Sequence, residues 1–301
     1  MVPAETAVSL RHRAEDFGVG ALSGFARTLS PSAARGLGER LGAWVGALGI
    51  RRRVASENLA WALPERAVEE RERILAEHYR ELGRVFLEYT QLDRMAQADE
   101  AQVVGEIRGR EHLLASRDGG RGAILMTGHF SNFELLAARL ARLHPVDVVV
   151  RAQRNAEVDT RIARLRAEAG LGTLRADREV RGVLESLRAG RWVALVADQD
   201  AGRNGAFIPF LGRLASTTLG PARLAVAAKV PIVMGFVTRR DDGRLDLDVE
   251  PPMWGDPSLG DQAALDLTRR HVTRLEYWVR RSPAMWFWLH RRWKTRPPGE
   301  K

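Results

Sequence analysis

The chain has 301 residues and a hydrophobic content of 45%, enough for one large domain or two small ones with a substantial core. Its 47 basic residues exceed the 38 acidic ones, and the formal charge of +9 favours acidic partners such as anionic lipid, an acidic carrier protein, phosphate groups or nucleic acid. The absence of cysteine excludes disulfides, thiolate metal sites and a cysteine nucleophile. No apolar run reaches the ~18 residues of a membrane-spanning helix, and the start lacks the basic-then-apolar order of a signal peptide. We therefore expect a protein that is neither exported nor membrane-spanning.

The first hundred residues have helical patterns. Ser30 followed by Pro31 indicates a helix start, with serine as the cap and proline in the first turn. Further along, apolar residues recur at spacings of four and three, which indicates an amphipathic helix: Leu75, Tyr79, Leu82, Phe86 and Tyr89.

Strand and helix patterns alternate from about residue 120 to 240. Four apolar runs predict buried strands, at 123–126, 146–150, 193–197 and 231–237, and helical patterns lie between them at 158–169 and 180–187. This alternation predicts an α/β fold, with a mainly parallel central sheet and flanking helices. Alternating apolar residues from Leu245 to Val249 predict a half-exposed edge strand, and a helix is expected from about Gln262 to Arg281.

One histidine and one glutamate, His129 and Glu134, lie five positions apart directly after the first apolar run. A neutral imidazole oriented by a carboxylate can take a proton from a hydroxyl, either of a substrate or of Ser131. Gly128 lets the backbone turn, and free N–H groups at the start of the next helix would form an oxyanion site. The alternative is a core histidine beside a surface glutamate. Ser131 and Asn132 are also good helix caps, a structural role.

Polar residues also follow two other predicted strands. Asp198 and Asp200, followed by Arg203, come after the run at 193–197, where carboxylates can bind a cation, orient an arginine or cap the next turn. The next stretch, 207–212, suits either an acyl channel or core packing. Arg151 and Arg154 follow the run at 146–150, and their forked guanidinium groups suit phosphate, although single arginines in so arginine-rich a chain are more often solvated.

The C-terminal stretch, 285–294, combines three tryptophans with Arg291, Arg292 and Lys294. This composition suits either core packing with surface charge, or a membrane interface that holds anionic headgroups. We interpret His290, the single histidine of the stretch, as structural.

Taken in chain order, these motifs resemble the bacterial lipid A biosynthesis acyltransferase family, the late lauroyl and myristoyl transferases. The resemblance extends from about residue 20 to 297, and its specificity lies in the joint order and spacing of the motifs. They are Asn58–Pro64, Gly128–Glu134, Arg154-Asn155 with Asp159, Asp198–Asp200, Phe207–Gly212, Ser216-Thr217, Gly220–Leu224 and Trp288–Pro297.

The resemblance implies a glycerolipid-acyltransferase-like fold. It also implies transfer of a fatty acyl group from an acyl carrier protein thioester to a hydroxyl of a lipid A precursor, at the cytoplasmic face of the bacterial inner membrane. His129 would be the general base and Glu134 would orient it, while arginines and backbone groups would stabilise the oxyanion and the lipid phosphates. No metal and no bound cofactor are implied. The candidate substrate-binding residues are Arg151, Arg154, Asn155, Asp198, Asp200, Arg203, Ser131 and Asn132.

We expect a helical, membrane-associating region at 1–100 and an α/β acyltransferase core at 101–301, together forming one integrated domain. The core would end in a helix and the tryptophan- and arginine-rich tail. Family members often carry a clearer apolar anchor at the N-terminus, which Ser30, Pro31 and Arg35 interrupt here. We therefore expect peripheral or monotopic attachment to an anionic membrane surface.

Other functions stay open. The same family includes acyltransferases that use acyl-CoA and act on mannosylated phosphatidylinositol. The same histidine and glutamate could activate water in a lipid hydrolase, and Ser131 could act as a covalent nucleophile. A basic membrane-binding protein without catalysis is a further class. Nucleic acid is disfavoured as a partner, because the aromatic residues concentrate near the C-terminus and do not interleave with basic residues along a groove.

Overall fold

The protein is described by a computed structural model that covers residues 18, 20–153, 155–176 and 180–299. A helical segment at 20–26 precedes five helices: α1 (Pro31–Ala47), α2 (Arg52–Ala62), α3 (Val68–Tyr89), α4 (Leu92–Gln97) and α5 (Glu100–Val103). The predicted start of α1 is confirmed, because Ser30 accepts a hydrogen bond from the N–H of Ala33 and Pro31 is the first helical residue. Among the described residues, no helix is both long enough and apolar enough to cross a bilayer.

Glycines allow α1 and α3 to pack backbone against backbone. A Cβ atom added to Gly42 would lie 2.0 Å from the carbonyl oxygen of Tyr79, and one added to Gly38 would lie 2.4 Å from that of Gly83. Only glycine permits so close an approach. The small side of α1 is therefore covered by α3, while Trp44, near the end of α1, is 61% exposed.

The central sheet has seven strands, which are β1 (Val104–Arg108), β2 (Ala123–Thr127), β3 (Val146–Val150), β4 (Gly172–Arg175), β5 (Trp192–Val196), β8 (Ile232–Arg239) and β9 (Leu245–Val249). Their order in the sheet is β1-β9-β8-β2-β5-β3-β4. All neighbouring strands are parallel except β8 and β9. A separate antiparallel hairpin consists of β6 (Ala206–Phe210) and β7 (Arg213–Thr217).

Helices cover both faces of the sheet. They are α6 (Arg110–Asp118), α7 (Phe133–Leu140), α8 (Ala156–Glu168), α9 (Val180–Arg188), α10 (Gly220–Ala228) and α11 (Ala263–Arg281), with short 3-10 segments at Gly202–Asn204, Pro257–Gln262 and Pro283–Met285. Along β2, Ile124 and Met126 join one hydrophobic cluster, and Ala123 and Leu125 join the other. Because side chains alternate along a strand, the two clusters lie on opposite faces. The predicted α/β architecture is confirmed.

The prediction that Leu245–Val249 forms an edge strand is wrong. This strand, β9, lies between β1 and β8. Its polar residues face charged neighbours: Arg108 of β1 donates two hydrogen bonds to Asp248, at 2.5 and 2.7 Å, and Arg240 donates one to Asp246 at 2.6 Å. The alternating pattern therefore reflects ion pairing next to neighbouring strands instead of exposure to water.

The C-terminal tail belongs to the core. Trp286, Trp288 and Trp293 are each at most 3% exposed, which supports the core interpretation of the tail over a membrane interface. The amide of Asn58, on α2, donates to the carbonyl oxygens of Trp288 at 2.8 Å and His290 at 2.7 Å. The tail is thus fastened to the N-terminal helices by a buried side chain.

Candidate active site

The candidate site lies where two neighbouring parallel strands end. In the β2–β5 register, Thr127 pairs with Val196, and these are the last residues of their strands. His129 and Asp198 each follow two positions later, so strand pairing brings both side chains to the same end of the sheet. The carboxyl ends of parallel strands are where α/β folds place their ligand sites.

Asp198 holds His129 by two hydrogen bonds. Its Oδ1 contacts Nδ1 of the imidazole at 2.6 Å, and its Oδ2 accepts the backbone N–H of His129 at 2.7 Å. The indole Nε1–H of Trp286 also donates to Oδ2, at 2.8 Å. Because Nδ1 is occupied by the carboxylate, Nε2 is the ring nitrogen available to a substrate.

The electrostatics of the pair favour a charged carboxylate and a basic imidazole. Burial alone would lower the pKa of His129, but the charge and hydrogen bond of Asp198, with the charge of Glu134, raise it above its ordinary value. Burial likewise disfavours the ionised form of Asp198, yet the charge of His129 and the hydrogen bonds from His129 and Trp286 lower the pKa of Asp198 to about 2. His129 can therefore accept a proton beside a permanent negative charge.

Gly128 is needed for close approach. A Cβ atom there would lie 2.8 Å from Cδ1 of Leu275 and 2.9 Å from Oδ2 of Asp198. The unusual backbone conformation falls instead on Ser131, whose φ of 44° lies in the left-handed region. The tail supports this turn, because Ser131 donates its N–H to the carbonyl of Met285 at 2.7 Å and Phe287 donates to that of His129 at 3.0 Å.

Ser131 and Asn132 contact a buried ionic network behind the turn. The Ser131 hydroxyl donates to Glu81 at 2.5 Å, and the Asn132 amide donates to Glu88 at 2.9 Å. Arg239 of β8 joins these two glutamates of α3, with distances of 2.7 Å to Glu81 and 2.8 Å to Glu88. Asn132 also caps α7 by accepting the N–H of Leu135, and neither it nor Ser131 lines the cavity beside His129. The geometry gives both residues a structural role.

Glu134 does not hold the imidazole, in contrast to the role predicted from the sequence. Its carboxylate pairs with Arg166 of α8 through two hydrogen bonds, at 2.5 and 3.1 Å. Both side chains are 13% exposed and line the cavity beside His129. The charge of Glu134 still helps to raise the pKa of His129, so its influence on the ring is electrostatic.

A cavity of about 650 Å³ opens beside His129 at the carboxyl ends of β2, β3 and β5. Such a volume lies within the range of small-molecule sites. Its polar lining residues include Arg151, Gln153, Arg166 and Gln199. Its apolar walls are formed mainly by Leu125, Met126, Leu136, Ala137, Val148, Val149, Val150, Ala176, Val180, Val183, Ala194, Leu195, Val196, Ala197, Pro221 and Leu224.

The predicted hydrophobic segment 207–212 lines no part of this cavity. It lies largely in the hairpin, where the ring of Phe210 packs against Trp286 and Trp293 at centroid distances of 5.5 and 5.9 Å. Of the two interpretations of this segment, core packing is the one that its contacts favour.

The structure describes four of the five remaining candidate residues, and these four differ in burial and contacts. Arg151 is exposed at the cavity, and Arg203 is exposed in the loop after Asp200. Asn155 accepts the N–H of Glu157 at 3.1 Å and caps α8. The side chain of Asp200 is fully buried, and it accepts the hydroxyl of Thr295 at 2.9 Å. Arg154 lies outside the described residues.

Three groups at the site could not be assigned from the sequence. The sequence shows Trp286 only as one of three tryptophans in the C-terminal tail, and nothing in the sequence distinguishes Arg166 from the many other arginines of the chain. The Glu81–Glu88–Arg239 network joins residues up to 158 positions apart. One signal for this network is present in the sequence. Glu81 and Glu88 are seven residues apart, so they lie on the same side of the amphipathic helix, next to its apolar residues. Among the described residues, no group of three or more histidines or carboxylates is arranged to bind a metal ion.

Comparison with known proteins identifies the class. Residues 5–295 match the family model of bacterial lipid A biosynthesis acyltransferases. The chain is 30% identical over 270 residues to a lipid A biosynthesis palmitoleoyltransferase of Escherichia coli (strain K12), covering 88% of this chain and 86% of that one. It is 29% identical over 274 residues to a lipid A biosynthesis lauroyltransferase of the same organism, covering 86% of each.

Similarity also extends to enzymes whose names specify a different acceptor. The chain is 28% identical over 193 residues to a phosphatidylinositol mannoside acyltransferase of Mycolicibacterium smegmatis, covering 61% of this chain and 60% of that one. The site and these relatives define an O-acyltransferase that acts on lipid A or another glycolipid. The chain belongs to the bacterial lipid A biosynthesis acyltransferase family, as its motif order predicts.

Proposed function

We propose that this protein transfers a fatty acyl group from an acyl carrier protein thioester to a hydroxyl of a lipid A precursor, with His129 as the general base and Asp198 as the carboxylate that positions it. The observation that carries the proposal is the His129–Asp198 pair, in which His129 lines a largely apolar cavity of about 650 Å³ while its Nδ1 is held by the carboxylate. This arrangement combines a proton acceptor with a compartment for a hydrocarbon chain.

His129 and Asp198 can account for every proton transfer in the proposed acyl transfer. Nε2 of His129 takes the proton of the acceptor hydroxyl as its oxygen attacks the thioester carbonyl carbon. The tetrahedral intermediate collapses, the carbon–sulfur bond breaks, and the imidazolium returns the proton to the leaving thiolate. The negative charge of Asp198 stabilises the imidazolium between these steps, and the raised pKa of His129 supports this role. General base catalysis of this kind contributes about 10²–10⁴-fold to the rate.

The first turn of α7 supplies the proposed oxyanion site. Backbone N–H groups at the start of a helix have no partner within the helix, and Phe133 and Glu134 of this turn line the cavity. The N–H groups of Ser131 and Leu135 are already bonded, to the Met285 carbonyl and the Asn132 side chain. We therefore propose that the backbone N–H groups of Phe133 and Glu134 stabilise the negative charge that develops on the thioester carbonyl oxygen.

The cavity walls suit an acyl chain. Each methylene buried against them would contribute about 0.8 kcal/mol to binding. Arg151 at the cavity and the exposed Arg203 are candidates for the phosphates of the lipid headgroup or of the carrier's prosthetic group. The net charge of +9 also favours both an acidic carrier and an anionic acceptor. Phosphate binding by Arg154 stays a prediction.

We further propose that the end of α1 contacts the cytoplasmic leaflet of the inner membrane. Trp44, Leu48 and Ile50 are 61%, 56% and 48% exposed, although all three are apolar. Three exposed arginines, Arg51, Arg52 and Arg53, follow directly. Apolar side chains beside cations suit attachment to a surface of anionic lipid. We name Trp44, Leu48, Ile50 and these arginines the α1 surface.

The direct test combines activity with two histidine variants. Purified full-length protein would receive an acyl carrier protein thioester and a tetra-acylated lipid A precursor, and the products would be analysed by mass spectrometry. We expect a mass gain of one acyl group that His129→Ala abolishes. His112→Ala is the matched control, because His112 lies on α6 and lines no part of the cavity. Activity in folded His129→Ala would contradict the assignment of the base.

A second candidate is transfer from acyl-CoA to a phosphatidylinositol mannoside, an acceptor that the names of the mycobacterial relatives favour. Turnover with that donor and acceptor, but none with the carrier thioester and the lipid A precursor, would select it. The dyad and the cavity would keep their roles in that case. Release of free fatty acid without acylated glycolipid would instead indicate a hydrolase.

A further inference from the structure

A second, much smaller cavity lies behind the candidate catalytic pair. Its volume is about 10 Å³, which is close to what one water molecule requires. Asp198 lines one side, and Thr127, Phe210, Met234, His271 and Arg292 are among the other lining residues. His129 lines only the large cavity, whereas Met126, Thr127 and Ala197 line both cavities and form the wall between them.

Three buried polar atoms belong to residues that line this cavity. They are Oγ1 of Thr127, Nε2 of His271 and Nε of Arg292, and no described residue offers any of them a hydrogen-bond partner. Arg292 is 1% exposed and His271 is 2% exposed. Buried polar groups without a partner are rare in folded proteins because leaving them so is costly. Three such atoms around one small cavity indicate a common ligand.

We propose that this cavity is a binding site for a single water molecule, held by Thr127, His271 and Arg292 against the buried side of Asp198. Water can accept the Nε–H of Arg292 and still donate hydrogen bonds. The hydroxyl of Thr127 can donate or accept, and a neutral imidazole offers one accepting and one donating nitrogen. One water molecule can therefore provide a hydrogen-bond partner for each of the three groups.

The opposite charges around the cavity favour a neutral ligand over an ion. The carboxylate of Asp198 would repel an anion, and the guanidinium of Arg292 would repel a cation. Burial, together with the charge of Arg292, lowers the pKa of His271 to about 3, so this imidazole is neutral at physiological pH. A small neutral ligand with both donors and acceptors fits this environment.

The water would connect the catalytic end of the sheet to the hairpin and the tail. The two terminal nitrogens of Arg292 already donate to the carbonyl of Ser216 at 2.5 Å and to Oγ1 of Thr217 at 2.6 Å, both in β7. The water adds Thr127, the last residue of β2, and His271 of α11 to the same hydrogen-bonded group. The proposal does not rest on the proposed function, because it concerns buried groups and not a reaction.

The sign of a stability change tests the proposal. Thr127→Val keeps the shape of the side chain and removes its hydroxyl. If the hydroxyl holds a water molecule, the variant deprives that water of a partner and the thermal midpoint falls by several degrees. If the hydroxyl is an unpaired group, valine removes the cost of burying it and the midpoint rises or stays unchanged, which would overturn the proposal.

Thr268→Val is the matched control. Thr268 is a fully buried threonine of α11 whose hydroxyl donates to the carbonyl of Ala264, so the variant should change the midpoint less than Thr127→Val. A crystal structure of the full chain, at a resolution where ordered waters are visible, is the direct measurement. We expect an oxygen peak within hydrogen-bond distance, about 2.7–3.2 Å, of all three atoms. A cavity filled by a rotated side chain, or one without density, would refute the site.

Discussion

Asp198→Asn should reduce activity far more than Glu134→Gln, although both carboxylates influence His129. Asp198 accepts three hydrogen bonds, two from His129 and one from Trp286. An asparagine cannot accept all three hydrogen bonds, because in either orientation of its amide the NH₂ group faces an N–H donor. The imidazole would then be held in the wrong tautomer or released, and the imidazolium would lose its counter-charge. Glu134→Gln leaves these bonds intact and weakens only the pairing with Arg166.

The expected loss follows from the role of the carboxylate. Removing the charge that stabilises an imidazolium lowers kcat by about 10²–10⁴-fold, which corresponds to about 3–5 kcal/mol of transition-state stabilisation. For Glu134→Gln we expect less than about tenfold, with the larger part in KM, since this carboxylate acts on the ring only through its charge.

The pH profile provides an independent measure. A general base works in its neutral form, so activity rises with pH through the pKa of His129, which lies above 6.5 in the wild type. In Asp198→Asn, burial still lowers this pKa while the charge and hydrogen bond of Asp198 are gone, and only the charge of Glu134 still raises it. The acidic limb should therefore move to lower pH than in the wild type. In Glu134→Gln it should move in the same direction by a smaller amount.

The assay is initial-rate acyl transfer from about pH 5 to pH 9 for the wild type and both variants. Thermal unfolding would show that each variant is folded. Two results would refute the reasoning: Asp198→Asn within about threefold of wild-type kcat, or Glu134→Gln losing as much activity as Asp198→Asn.

Three further predictions concern the parts that hold or approach the site. Arg239→Met should lower the free energy of unfolding in urea by about 3–5 kcal/mol, because two buried carboxylates, Glu81 and Glu88, lose the cation between them. A loss below about 1 kcal/mol would contradict the importance of this network. Gly42→Ala should lower the free energy of unfolding by about 1–3 kcal/mol, since its Cβ atom would lie 2.0 Å from the carbonyl oxygen of Tyr79. Gly36→Ala is the control and should not lower it, because a Cβ atom there has no neighbour within 4 Å. Equal effects of the two substitutions would argue against backbone contact between α1 and α3. Trp44→Ser should reduce sedimentation with anionic vesicles several-fold, whereas Trp254→Ser, a similarly exposed tryptophan outside the α1 surface, should not.

The strands of the central sheet could largely be located from the sequence. The run at 146–150 is β3 itself, and the runs at 123–126, 193–197 and 231–237 agree with β2, β5 and β8 to within two residues at either end. These strands are covered by helices on both faces, so their hydrophobicity is nearly continuous and easy to recognise. The short strands β1 and β4 were missed, because charged and small residues interrupt their apolar pattern. Without β1, the strand β9 looked like an edge.

The site could be predicted less completely, and its partner residues show why. His129 and Glu134 are close along the chain, so their association needed only the geometry of one turn. Asp198 lies 69 positions from His129, and the two meet because β5 is the neighbour of β2 in the sheet. Strand order depends on how all the strands and helices pack together, and no local pattern determines it. Asp198 was accordingly recognised as a candidate, but its partner was not.

The ionic network of Glu81, Glu88 and Arg239 limits how enzymes of this type can be truncated or combined into chimaeras. A shortened chain beginning near residue 101 would keep His129, Asp198 and the acyl-sized cavity, yet the turn that carries the histidine would lose both of its carboxylate anchors. Arg239 would also lose both of its carboxylate partners. A chimaera that combines the helices of one relative with the sheet of another would therefore need to exchange the glutamates, the arginine and the turn as a single unit.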